Sequence, residues 1–266
     1  MTGTAEPAPS PFRAFARIAA LILLFLACLP LHLIAKRGGR RSPWPRRFLR
    51  AATEIIGARI TTSGAPIAPQ TLLISNHVTW LDIAILGAAT GCAFVSKDEV
   101  RTTPLIGWLA DQNRTLYIRR SHRSGALDQA AAITSALRDQ QPLALFPEGT
   151  TGNGGHLLPF RSALLAAVAP PPPGVVVRPV AIDYGPAMRI FGWPRGESGK
   201  ANALRILGRR GATPVIVRLL DPIPASADRK AIANAARETI AAALAAAAHE
   251  TNAAALAASN LARPIL

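Results

Sequence analysis

Acidic residues are scarce in this 266-residue chain: 15 Asp and Glu face 30 Lys and Arg, a formal net charge of +15. That imbalance calls for an anionic partner, whether nucleic acid, an anionic membrane or a phosphorylated substrate. Aromatic side chains make up only 5% of the residues and no recognised DNA- or RNA-binding motif occurs, which argues against nucleic acid. The two cysteines, Cys28 in an apolar run and Cys92 at the start of a strand-like run, offer no disulfide framework and fit a reducing location. Five histidines, at 32, 77, 122, 156 and 249, are scattered, and no Cys/His cluster has metal-ligand spacing. No metal and no cofactor are expected.

What is plentiful is apolar sequence, half of the residues. The run Ile18 to Ala35 holds eighteen residues without one charge, near the lower limit of about 17–25 for a membrane-spanning helix. Pro30 and His32 interrupt it, so a segment that dips in and returns is as compatible as one that crosses. Lys36, Arg37, Arg40, Arg41, Arg46, Arg47 and Arg50 follow, against Arg13 and Arg17 before the run. Arginines in place of a small-residue cleavage site disfavour a signal peptide. The excess of positive charge after the run places that side, and the bulk of the chain, at the cytoplasmic face of a membrane.

Downstream, a helix is expected over Trp44–Gly57. Near-continuous apolar runs then read as strands covered on both faces: Thr71–Ser75, Cys92–Ser96, Thr115–Arg119, Pro142–Phe146, Val175–Ile182 and Pro214–Leu220. Helical patterns fill the gaps, clearest from Gly125 to Asp139. The alternation predicts an α/β fold, a largely parallel central sheet flanked by helices, preceded by a membrane-associated helical segment. Residues 1–60 form the anchoring region with its basic collar. Residues 61–266 form the second domain, closed by an alanine-rich helix beyond Ser226, a candidate N-cap. Ala169–Gly174, with four consecutive prolines, is a loop, and the last fifteen residues are expected to fray.

The stretch LLISNHVTWLDIAIL, Leu72 to Leu86, places a histidine and a carboxylate inside what otherwise reads as core. Ligands of open α/β sheets collect beyond the C-terminal ends of strands, where His77 falls. Positions five apart on a helix are about 140° apart, so His77 meets Asp82 only if it stands in the turn before the helix, which should start near Thr79. There the imidazole would take a proton from an alcohol while Asp82 holds its tautomer and stabilises the imidazolium. No Ser or Cys of a nucleophile-elbow type accompanies the pair, which favours direct attack by a substrate hydroxyl. The competing reading is structural: Thr79-Trp80-Leu81-Asp82 also fits a capping box. Asp82→Asn is expected to separate the two, keeping a cap while disturbing the tautomer.

Other strand ends carry charge as well. Lys97 follows the second run, Arg119 and Arg120 close the third, and Glu148-Gly149-Thr150 follow the fourth, with Gly149 free to let a backbone approach a ligand. Four successive strands thus end in His/Asp, Lys, Arg and Glu.

These residues resemble the membrane-associated glycerolipid acyltransferases. Asn76-His77 with Asp82 five residues on matches that family's first motif. Thr115–Arg120 resembles its second, Phe146-Pro147-Glu148-Gly149-Thr150 matches the third, and Val176-Val177-Arg178-Pro179-Val180 the fourth, in order and spacing across Leu72 to Ile182. Arg114, Arg119 and Thr151 depart from the family pattern around the second and third motifs and bear on the acceptor head group. The resemblance implies O-acyl transfer from acyl-CoA or acyl-carrier protein to a lysophospholipid hydroxyl. Its type reaction converts 1-acyl-sn-glycerol-3-phosphate to phosphatidic acid; lyso-ornithine lipid, which has no phosphate, is the alternative acceptor. It makes His77 the general base and Asp82 its orienting partner. Lys97 and Arg120 would hold the acceptor phosphate, Glu148 would accept from acceptor hydroxyls, and the Gly149–Thr150 turn would help to bind it. A non-catalytic basic membrane-binding protein and an acyl-chain hydrolase are the readings of another class.

Overall fold

The computed structural model describes residues 8–38, 41–118, 126–138 and 141–261. Seven strands form one sheet: β1 (Ala58–Ser63), β2 (Thr71–Ser75), β3 (Ala93–Lys97), β4 (Leu116–Ile118), β5 (Leu143–Leu145), β6 (Val176–Asp183) and β7 (Thr213–Leu219), in the spatial order β1-β7-β6-β2-β5-β3-β4. Every neighbouring pair is parallel except β6–β7. The central strands are mostly apolar because both faces are covered: all five residues of β2 are buried. Alternate side chains feed two cores. Leu73, Val180, Ile182 and Val217 pack on one face with Ile85 and Leu86 of α3 (Leu81–Thr90) and Ile206 of α8 (Gly199–Gly208). Leu72, Ile74, Leu143 and Val177 pack on the other with Ile133 and Leu137 of α6 (Ala126–Leu137) and Ile232 and Ala236 of α9 (Arg229–Leu261).

The expected strands are present within a residue or two at each end. The one missed is β1, whose burial is confined to Ala58 and half-buried Ile60; its exposed polar residues leave no apolar run to find, and it is held as an edge by parallel pairing with β7. The residue-60 division falls inside this strand. Two end signals also differ. Asp228 caps α9, accepting from the Lys230 amide at 2.7 Å, while Ser226 accepts from the Asp228 amide. Past Ala247 the helix continues to Leu261 where fraying was expected.

α1 (Pro11–Arg37) runs unbroken through Pro30 and is tied to the α/β body at both ends. At its start the Ser10 amide and the Arg13 guanidinium reach the Gly208 carbonyl, and Arg17 donates to the carbonyls of Leu207, Arg209 and Gly211. Those are the unpaired acceptors at the end of α8, where a cation also meets the negative pole of the helix. At its other end His32 is buried between Ser42 and Gln112 of α5 (Ile106–Gln112). Midway, Phe25 packs edge-on against Phe48 of α2 (Trp44–Ile56) and Trp108. The opposite face is bare: Phe15 is 70% and Leu23 67% exposed, and Leu105 and Ile106 beside Trp108 are exposed too. The helix is long and apolar enough to cross a membrane, with 6% of its most apolar window buried, yet its two ends are fastened to one side. Of the basic collar, Arg46 turns inward and donates to the carbonyls of Ala88 and Ala89 at the end of α3.

Arg178, in the middle of β6, is 5% exposed and donates to the carbonyls of Leu220, Pro66 and Leu219. It staples the β7 exit and the β1–β2 connection to the sheet. Arg178→Leu keeps the apolar stem but takes the shared donor from three carbonyls, those of half-buried Leu219 and Leu220 and of Pro66. It should cost at least about 2 kcal/mol, read as a melting temperature lower by several degrees.

Candidate active site

β2 ends at Ser75, and Asn76, His77, Val78 and Thr79 turn the chain into α3. The turn is pinned from two sides. The Asn76 side chain pairs with Ile182 of β6 as a backbone would, donating to its carbonyl at 3.0 Å and accepting from its amide at 2.8 Å. The His77 amide donates to Glu148 Oε1 at 2.7 Å, and the His77 carbonyl accepts from Gly152. His77 therefore stands before the helix, as the spacing required, and Nδ1 lies 2.9 Å from Asp82 Oδ2. An ionised carboxylate only accepts, so Nδ1 carries the proton and Nε2 keeps its lone pair. The ring stacks on Phe146 at a centroid distance of 4.2 Å, with Phe94 behind that ring.

Asp82 is wholly buried and accepts four hydrogen bonds: from His77 Nδ1 and the amides of Val78 and Thr79 on Oδ2, and from the Tyr184 hydroxyl on Oδ1. The capping and orienting readings thus describe one side chain doing both. Only the carboxylate half of the capping box forms, since Thr79 Oγ1 has no partner among the described residues. This overturns the expectation for Asp82→Asn: an amide has one acceptor oxygen for four donors, so that substitution must cost stability along with orientation.

Glu148 follows β5, the strand between β2 and β3. Both carboxylate oxygens are engaged, Oε1 with the His77 amide and Oε2 with the Leu158 amide at 3.0 Å. Burial pushes its pKa up to about 7, and the two amides and His77 only partly oppose that. Gly149 takes φ 72° to reverse the chain after Glu148, a conformation suited to glycine. In Gly152-Asn153-Gly154-Gly155 the glycine at 154 lies so close to Met188 that a Cβ would collide with its carbonyl.

A cavity of about 440 Å³ opens beside His77. Glu148, the 152–157 loop, Asp183, Gly185 and Met188 line it. Its far wall is a stripe of α9, Ala241, Leu244, Ala245, Ala248, Thr251 and Asn252. Asp183 is committed to Arg218 at 3.0 Å and to the Gly185 amide. Of the residues expected at the site, His77, Asp82 and Glu148 come together. Lys97 is half-buried at the end of β3, two strands from β2, and neither it, Gly149 nor exposed Thr150 lines the cavity. Arg120 lies outside the described residues. Tyr184, Phe146 and the α9 wall were not anticipated as parts of the site; Phe146, which opens the third motif, and Tyr184, directly after the fourth motif's strand, carried positional hints, and the α9 wall carried none. Among the described residues no group of His, Cys, Asp and Glu fits a metal.

The acyltransferase family model matches residues 30–183, which span all of these elements up to the end of β6. The chain belongs to that family and is an acyltransferase. It is 36% identical over 256 residues to a lyso-ornithine lipid O-acyltransferase of Brucella abortus, covering 87% of this chain and 94% of that one. A protein of the same name from Pseudomonas aeruginosa is 41% identical over 190 residues, 68% and 69% of the two chains. A 1-acyl-sn-glycerol-3-phosphate acyltransferase of Neisseria gonorrhoeae is 33% identical over 121 residues, 45% and 47%. The fold is similar to that of the crystal structure of PlsC, the 1-acyl-sn-glycerophosphate acyltransferase of Thermotoga maritima, with a TM-score of 0.54 at 20% identity over 84% of this chain and 96% of that one.

The Glu148 carboxyl generates a pH signature. Its folded pKa, about 7, stands above the ordinary 4.5, so between those values the folded state holds a proton that the unfolded chain releases. Its contribution is most favourable below pH 4.5 and is lost as pH rises through 7, by up to about 3 kcal/mol. Glu148→Gln removes that titration and one amide acceptor. The variant should melt well below wild type at pH 5, with the gap closing by pH 8 in parallel thermal scans.

Proposed function

We propose that the chain is a membrane-bound O-acyltransferase that moves an acyl group from a thioester donor, acyl-CoA or acyl-carrier protein, to the hydroxyl of lyso-ornithine lipid. His77 Nε2 takes the hydroxyl proton as the oxygen attacks the thioester carbonyl. The tetrahedral intermediate collapses with cleavage of the C–S bond, and the imidazolium returns the proton to the departing thiolate, leaving an ester and a free thiol. Asp82 remains ionised throughout and offsets the imidazolium charge.

The observation that carries the choice of acceptor is the cavity beside His77. Its lining includes two carboxyl groups, Glu148 and Asp183, and no lysine or arginine among the described residues. Asp183 is already paired with Arg218 and burial favours the neutral form of Glu148, so the missing cation decides: a phosphate there would find no lysine or arginine among the described lining residues, whereas an ornithine head group brings an ammonium and no phosphate. The Brucella abortus relative, which matches nearly end to end, carries the same substrate in its name, while the Neisseria gonorrhoeae lysophosphatidate relative matches under half of either chain. Lysophosphatidate, expected from the four motifs, is the second reading; it rests on Lys97 and Arg120.

For the membrane, the fastening of both α1 ends to one body supports a helix lying in the plane of the interface. Its bare face, with Leu105, Ile106 and Trp108, would sink into the acyl region, and the remaining collar would meet anionic head groups at the cytoplasmic face.

Two measurements test these readings. With both acceptors offered to purified protein, lyso-ornithine lipid should be acylated faster, and His77→Ala should lower its turnover at least about a hundredfold; a preference for lysophosphatidate reverses the acceptor. Phe15→Glu with Leu23→Glu should release the protein from anionic vesicles without lowering its melting temperature, because both side chains already face solvent; undiminished sedimentation with vesicles places the anchor elsewhere.

A further inference from the structure

Asp82 meets His77 through one oxygen only. Oδ2 takes its three donors from the same turn that bears His77, whereas Oδ1 takes its partner from a distant element, the Tyr184 hydroxyl at 2.5 Å. Tyr184 is the first residue after β6, is 1% exposed, stacks on Phe191 at 4.7 Å and is not part of the cavity lining. We propose that Tyr184 is a positioning residue of the acyl transfer: by holding Oδ1 it ties the Asp82 carboxylate to the end of β6 and, through that, secures the tautomer and aim of His77.

Rotation about the bond to Cβ sweeps both oxygens, so the three bonds on Oδ2 already oppose it; the bond on Oδ1 adds a restraint from outside that turn and ties the far side of the carboxylate to the end of β6. A hydroxyl donating to an ionised oxygen is among the stronger hydrogen bonds, and this one is short. Burial, reinforced by the Asp82 charge, holds the Tyr184 pKa well above its ordinary 10, so the hydroxyl stays a donor. With four donors the carboxylate remains an acceptor, and the proton taken from substrate stays on His77. Among the described residues, the other titratable groups beside the pair are Glu148 after β5, on the His77 amide, and His156 and Asp183 in the cavity lining, the last bound to Arg218 of β7.

The inference rests on His77 as the base, so the test runs Tyr184→Phe and His77→Ala side by side in the full-length protein. The assay uses lyso-ornithine lipid, lysophosphatidate and a thioester donor. For Tyr184→Phe, kcat should fall about ten- to a hundredfold with KM nearly unchanged. The acidic limb of the kcat/KM profile should also move to higher pH, because a less satisfied carboxylate holds the imidazolium proton more tightly. Unchanged kcat and acidic limb, with only a lower melting temperature, would show Tyr184 to be packing and overturn the proposal. If the Phe variant does not fold, the chain's two tyrosines offer another route: fluorinated tyrosine in a Tyr117→Phe background changes Tyr184 alone. Shape is kept and the donor strengthened, so the acidic limb should move to lower pH; an unmoved limb again overturns the proposal. An inactive His77→Ala beside an unaffected Tyr184→Phe removes the positioning role only, whereas wild-type turnover in His77→Ala removes the base and this inference with it.

Discussion

The Asp82 carboxylate is a full negative charge with no exposed surface, tolerable only because four donors converge on it. Those donors come from the turn after β2 and from the residue that follows β6, while Asp82 itself opens α3. The charge therefore holds three pieces of chain in one arrangement, and His77 inherits its orientation from it. Removing the carboxylate leaves four donors without their acceptor, so the orientation of His77 and local stability are the same interaction seen from two sides.

Around that charge the parallel sheet does the assembling. β2 and β5 are neighbours running the same way, so His77 and Glu148, seventy-one residues apart, leave the sheet at one edge and meet. Glu148 shows how competing terms resolve: two backbone amides favour its ionised form, burial opposes it, and burial prevails. Its value is in bracing the His77 amide against the 152–158 loop. The cavity is completed by α9, whose alanines leave room where larger side chains would fill the space beside the imidazole.

The N-terminal helix solves a different problem. An apolar helix of this length normally finds its partner in lipid, but α1 is also anchored by guanidinium groups to the end of α8 and by a buried histidine to α5. Arg17 satisfies carbonyls that α8 cannot satisfy for itself, and His32 closes the other end. The outward face alone is left bare, with Phe15 and Leu23 exposed.

Much of this was legible in the sequence. Strands covered on both faces announce themselves as apolar runs, and polar residues at their ends stand out against that background; hence the sheet, the His77–Asp82 pair and Glu148 could be named from the chain alone. β1 escaped because an edge strand needs no apolar run, and the Ser226 cap was misplaced because Asp228, two residues on, offers the stronger acceptor. Only the tertiary structure decided which strand ends meet. Lys97 follows its strand as Glu148 does, but strand order, set by long-range pairing, keeps it off the cavity wall. Tyr184 and the α9 stripe belong to the site for the same reason: hydrogen bonds and walls are made across space by residues more than a hundred positions away. A one-dimensional pattern encodes which residues are buried and charged, and the crossing of the chain over itself decides which of them touch.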